Sequence, residues 1–312
     1  SDDRPPLARI ALAARDRPRG GRLSVAGRRI AALPPASFFV ISAIFHYLGP
    51  SFAVLLFAHV SVFGVAWLRI ASAAVVFALW RRPWRLVQRL TRRQRSVLLA
   101  LGVVLAAMNS LFYLAIDRLP LSTVGAIEFL GIVILAAVGA RTRRNLAALV
   151  LAVGGVAALT NIRIVDEPLG FAFAFANCAL FMLYVILGHK IANSKITTIS
   201  DDAASTMLSG IDQLGAAMLI AALVATPLGI SGALPAFVHP SWLLWAIVVG
   251  LCSSVIPYVA DQLAMARLPR ATFALMLALL PATATAIGLV VLGQVPTPQD
   301  LLGIALVIGG VA

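Results

Sequence analysis

RLPLSTVGAIEFLGIVILAAVG, residues 118–139, has a counterpart in RLPRATFALMLALLPATATAIG, residues 267–288. Both open on Arg-Leu-Pro and run through about 20 largely apolar residues, the length a helix needs to cross a bilayer. Further on in each, LAVGGVA (151–157) parallels LVIGGVA (306–312). The chain therefore reads as a duplicated unit, and the only carboxylate in the first copy, Glu128, sits in a run otherwise suited to lipid.

Composition sets the frame for this repeat. The 312 residues are 61% hydrophobic and 12% charged, with mean hydropathy +0.97, which a water-soluble domain could not carry without very large exposed apolar patches. The chain is expected to be an all-α membrane protein. Runs of spanning length fall near 36–57, 60–80, 96–116, 120–140, 145–162, 168–188, 203–226, 241–266, 271–293 and 299–312, which predicts ten transmembrane helices. The last run is shorter than a span, so the sequence is expected to continue past Ala312. The two cysteines, Cys178 and Cys252, lie in apolar runs and suggest neither a disulfide framework nor a metal site.

The basic surplus, net +13, is arranged by topology. Eight Arg lie in the tail before the first run and seven in RRPWRLVQRLTRRQR (81–95). Three lie in RTRRN (141–145), followed by Lys190 with Lys195 and Arg267 with Arg270. The alternate connections, 57–60, 117–120, 161–168, 226–240 and 293–300, hold only Arg118 and Arg163. The positive-inside rule then puts both termini in the cytoplasm, with the surplus anchored at anionic lipid headgroups rather than on nucleic acid. Five spans per half is odd, so the halves insert upside down, as two inverted five-helix repeats. The expected domains are a basic, flexible tail over 1–35, a first repeat over 36–162 and a second over 168–312. Inverted repeats are a transporter architecture, with substrate near the midplane.

Ionisable residues inside spans are expensive, about 2.5–3.5 kcal/mol on insertion scales, and usually face a cavity or a partner. Arg69 and Glu128 each lie roughly 12–13 Å from the outer ends of their helices at 1.5 Å per residue. They allow three readings: a structural ion pair; poles for a zwitterion, Glu128 taking an ammonium and Arg69 a carboxylate; or Glu128 as a carrier of protons for antiport. Asp261, about four residues from the end of its span, lines the inner vestibule or belongs to the interface, and Asp212 is similarly open. Asn109 and Tyr113 share one helical face. With Tyr258 and Tyr184 they are candidates for the site wall, against the alternatives of helix glue and interfacial anchoring. Pro50, Pro257 and Pro281 interrupt apolar runs and are candidate hinges. No P-loop, GxSxG elbow or metal-spaced His/Cys cluster occurs, so no cofactor, metal or enzymatic activity is implied.

Several stretches together resemble the EamA branch of the drug/metabolite transporter superfamily, and within it the threonine/homoserine exporters. They are AWLRIASAAVVFALW (66–80), MNSLFYLAIDRLPLSTVGAIEFLG (108–131), IPYVADQLAMARLPRATFALMLALLPA (256–282) and LGQVPTPQDLLGIALVIGG (292–310). The resemblance runs from residue 37 onward, and Arg69, Asn109, Phe112, Tyr113, Glu128, Pro257, Tyr258, Pro281 and Pro298 fit the family pattern. It implies a bacterial inner-membrane secondary carrier that exports small amino acids or related metabolites by alternating access with proton exchange. Rival expectations are an uptake permease, a carrier of uncharged metabolites, or a non-transporting scaffold with a structural Arg69–Glu128 pair. The chain departs from the pattern at Ile132, Leu280, Phe181 and Gly293-Gln294, where the family usually has proline, glutamate, tryptophan and Gly-Glu.

Overall fold

Capping chemistry and proline placement set the ends of the helices. In the computed structural model of the chain, the described residues are 34–139, 142–160, 166–192, 203–265 and 280–309, and no strand occurs among them. The helices are α1 (Pro35–Leu56), α2 (Val62–Arg81), the short α3 (Trp84–Arg89), α4 (Arg92–Ile116), α5 (Leu121–Gly139) and α6 (Arg143–Thr160). They continue with α7 (Pro168–Ala192), α8 (Ala203–Val238), α9 (Pro240–Gly250), a π-helical turn (Leu251–Val255), α10 (Ile256–Met265), α11 (Leu280–Leu292) and α12 (Pro298–Gly309).

Seven stretches are long and apolar enough to cross a membrane: Ser37–Leu56, Val62–Arg81, Arg92–Ile116, Leu121–Gly139, Pro168–Gly188, Gly210–Val238 and Pro240–Asp261. Of the other three expected spans, α6 forms over 18 residues, and α11 and α12 are shorter apolar helices. Residues 271–279 of the expected helix at 271–293 lie outside the described residues, as do Arg267, Arg270, Lys195 and the tail.

One expectation is corrected. Residues 226–240 were expected to connect two spans, yet α8 continues to Val238 with Pro227 and Pro235 inside it. No charge interrupts ATPLGISGALPAFV, and an internal proline bends an apolar helix more readily than it ends one when neighbouring helices support it. The break comes at His239, whose extended backbone (φ −115°, ψ 99°) suits a residue preceding proline, and Pro240 then opens α9. Elsewhere Thr91 and Gln94 form a reciprocal capping box that starts α4 four residues before the expected span.

Residues 35–312 make one compact unit. Its main neighbours are α2 with α8, α4 with α7 and α8, α6 with α12 and α5, α1 with α10 and α11, and α5 with α7 and α11. Small residues permit the closest contacts. A Cβ on Gly64 would run into the backbone of Gly232 and Ala233, one on Gly229 into Trp67, and one on Gly155 into the carbonyl of Gly303. Polar ties reinforce them: Trp67 Nε1 donates to Thr226 Oγ1 at 2.9 Å, and Gln299 Nε2 to Ala158 O at 2.8 Å. Asp212 proves to be a structural partner, held by Arg81 through Nε–Oδ1 at 2.7 Å and Nη2–Oδ2 at 3.2 Å.

Candidate functional site

Arg69 lies mid-helix in α2 and is only 5% exposed. Its guanidinium crosses to the π-helical turn, donating from Nε to Ser254 Oγ at 3.0 Å and from Nη2 to Ser253 O at 3.1 Å. It also lies 5.3 Å from the ring centre of Tyr113, a cation–π contact. The helix crossing depends on Gly250, where a Cβ would overlap Ser72 Oγ and crowd the Arg69 carbonyl. A π turn carries one more residue per hydrogen-bonded loop than an α turn and often marks a functional position in a helix.

Glu128 does not complete an ion pair with this arginine. Its Oε2 is buried with no hydrogen-bond partner, so the structural-pair reading is not the arrangement found. The two groups remain within electrostatic reach of each other. Asn177, from α7, is fully buried and faces the Glu128 carboxylate at the margin of hydrogen-bonding range, with no hydrogen bond of full geometry made by Nδ2 or Oδ1. Tyr113 Oη and Ser253 Oγ are also buried without a hydrogen bond of full geometry, and they stand near each other and near Arg69. Buried polar groups are nearly always satisfied, and each exception needs a reason. Here five such atoms, from α4, α5, α7 and the π turn, gather around Arg69 and Glu128.

The other expected residues divide between this cluster and its flanks. Tyr258 lies within reach of Arg69, Glu128, Asp261 and Tyr113, and Tyr184 within reach of Tyr258 and Asp261. Ser42, which donates to Pro257 O at 3.2 Å, also adjoins Asp261. Asn109 is directed elsewhere, its Nδ2 bonding the Leu105 carbonyl of its own helix at 2.8 Å. Pro50 is interior to α1. Pro257 is the second residue of α10, one position past the residue that follows the π turn, and Pro281 is the second residue of α11.

Sequence reasoning missed Asn177, Ser253, Ser254 and Tyr47. Tyr47 is 1% exposed and is near both Glu128 and Gly125. A signal existed for three of them, since Asn177 is the one amide in FAFANCALF and the serine pair interrupts an apolar run. The departure at Gly293-Gln294 also gains a role. Gly293, at φ +66°, ends α11, and Gln294 Oε1 accepts from Leu121 N at 3.0 Å. An amide oxygen is sufficient for that bond.

A bundle of apolar helices enclosing opposite charges and unsatisfied polar atoms defines a multi-pass membrane protein with a polar interior. The chain belongs to the EamA-like transporter family, whose profile matches residues 194–312. It is 33% identical over 264 residues to the threonine/homoserine exporter RhtA of Escherichia coli (strain K12), covering 83% of this chain and 84% of that protein. To the threonine/homoserine exporter RhtA of Salmonella typhimurium (strain LT2) it is 31% identical over the same shares. A protein of known crystal structure, 20% identical, superposes with a TM-score of 0.54 over 89% of this chain and 96% of its own, a likeness of fold.

Proposed function

We propose that the chain is a secondary exporter of small amino acids of the threonine and homoserine kind, working by alternating access with protons as the counter-ion. The observation that carries this reading is the set of buried, unpartnered polar atoms beside Arg69 and Glu128. Arg69 supplies donors for a substrate carboxylate and Glu128 an acceptor for its ammonium. Asn177, Tyr113 and Ser253 supply neutral hydrogen bonds suited to a hydroxylated side chain. Exchange of substrate for a proton at Glu128 would couple the two flows.

Helix pairing supports the inverted repeat. Taking α9, the π turn and α10 as one span, the halves correspond as α1 to α7, α2 to α8, α4 to α9–α10, α5 to α11 and α6 to α12. Under that exchange the contact of α4 with α7 becomes that of α9–α10 with α1, and α5 with α7 becomes α11 with α1. The pairs α2–α8, α5–α11 and α6–α12 map onto themselves. Ten spans with both termini cytoplasmic fit this pattern and the distribution of arginine.

The test is counterflow in proteoliposomes loaded with threonine. Wild-type protein is expected to exchange threonine and to respond to an imposed pH gradient. Glu128→Gln, which keeps the shape and removes the anion, is expected to lower exchange about 10- to 100-fold, the value of a charged hydrogen bond, and to abolish the pH response. Full exchange by the variant, or no exchange of any amino acid by wild type, would overturn the reading.

A further inference from the structure

At the end of α2 away from the α1–α2 connection, the chain builds a second polar feature that the transport site does not use. Leu79, Trp80, Arg81, Arg82, Arg85, Leu86 and Asp212 line an open, mostly polar surface hollow of about 520 Å³. Its side chains are graded along the helix axis. Leu79 is 79% exposed and Trp80 52% exposed, forming an apolar lip of the kind that sits among acyl chains and at the headgroup boundary. The three arginines follow directly beyond them.

The charges are not equivalent. Asp212 engages Arg81 with both oxygens, so it neutralises that arginine and fixes it above the Trp80 ring, 5.8 Å from its centre. Arg82 and Arg85 make no ion pair or side-chain hydrogen bond among the described residues, and both are exposed. By contrast Arg95, in the same basic segment, is occupied by the carbonyls of Val87 and Gln88 at 3.1 and 3.3 Å.

Arg82 is also the one non-glycine residue with positive φ among the described residues (φ 50°, ψ 57°). A left-handed backbone disfavours side chains with a Cβ, and glycine is the usual choice where a helix ends this way. The arginine is nonetheless present, at the corner that turns α2 into α3 and sets Arg82 and Arg85 on the same cavity.

We propose that this cavity is a binding site for the phosphate of an anionic phospholipid, with Arg82 and Arg85 as its ligands, Arg81–Asp212 as its rigid wall, and Leu79 and Trp80 against the first acyl carbons. Charge complementarity selects an anion, and the apolar lip directly beside it selects one that carries chains.

Purified full-length protein in neutral detergent tests this by native mass spectrometry and thermal unfolding with added cardiolipin, phosphatidylglycerol, phosphatidylcholine or inorganic phosphate. The anionic lipids are expected to remain bound and raise the Tm, phosphatidylcholine and phosphate to do neither. Arg82→Ala with Arg85→Ala is expected to weaken anionic lipid binding about 30-fold, since each basic group near an anionic surface contributes roughly a fivefold factor. Arg92→Ala with Arg93→Ala, outside the cavity, is expected to change it little. Equal losses in the two double variants, equal binding of phosphatidylcholine, or stabilisation by phosphate alone would overturn the proposal. Should the double variant fail to fold, Arg82→Gln and Arg85→Gln singly carry the same comparison, each expected to weaken anionic lipid binding about fivefold.

Discussion

Asn177→Leu separates a structural amide from one kept for a ligand. Leaving a buried amide group without a hydrogen bond costs about 1–3 kcal/mol, and an apolar side chain of the same shape removes that cost. The variant is therefore expected to melt at the same temperature as wild type or higher in detergent, while threonine counterflow falls by about tenfold or more, the loss of at least one hydrogen bond to substrate. A lower Tm with full transport would make Asn177 a packing residue. At this scale the sequence was legible where charge was involved: Arg69 and Glu128 stand out because nothing apolar explains them. Asn177 and Ser253 did not, because single neutral polar residues in spans commonly serve as links between helices. Only burial without a partner sets these apart, and that is a property of the assembled bundle. Asp212 shows the converse, a carboxylate ambiguous in the sequence whose meaning came from Arg81, 131 positions away.

Among the elements, the π turn between α9 and α10 connects the site to the frame. Gly49 of α1 lies against it so closely that a Cβ would meet Ser253 Oγ and approach its backbone N and Cα to 2.6 and 2.8 Å. Gly49→Ala is expected to displace the turn, destabilise the protein by about 1–3 kcal/mol and reduce transport, because Ser253 O holds Arg69. Gly154→Ala, inside α6 with nothing within 4 Å, should leave transport unchanged and stability equal or higher, since alanine favours a helix interior over glycine by about 0.5–1 kcal/mol; thermal unfolding and counterflow on the pair check this. Helix existence was readable from apolar runs, and most ends fell within a few residues of expectation. Proline was the misleading signal: Pro227 and Pro235 looked like loop residues, whereas the packed face of α8 keeps the helix intact. The π turn had no sequence signature, since LCSSV does not distinguish hydrogen bonds spanning five residues from those spanning four.

For the molecule as a whole, the arginine distribution predicts a topology that labelling can check. In a background of Cys178→Ala and Cys252→Ala, Arg143→Cys is expected to react with an impermeant maleimide only in inverted vesicles, and Val295→Cys in intact cells. The opposite pattern would reverse the orientation. The duplication between residues 118–139 and 267–288 is a property of the sequence, and the proposed pairing of α2 with α8, α5 with α11 and α6 with α12 is compatible with it. The count of spans was less legible, because α6 begins on arginines and α11 and α12 are short in the described residues.

The α2–α8 contact restricts how such a bundle can move. With Gly64 against Gly232, Trp67 seated on Gly229 and Arg81 bolted to Asp212 near one end, this pair cannot slide along its length without steric collision. It must travel as one plank, so any rearrangement of the bundle has to be taken up at its edges, where α4 and the α9–α10 span meet it.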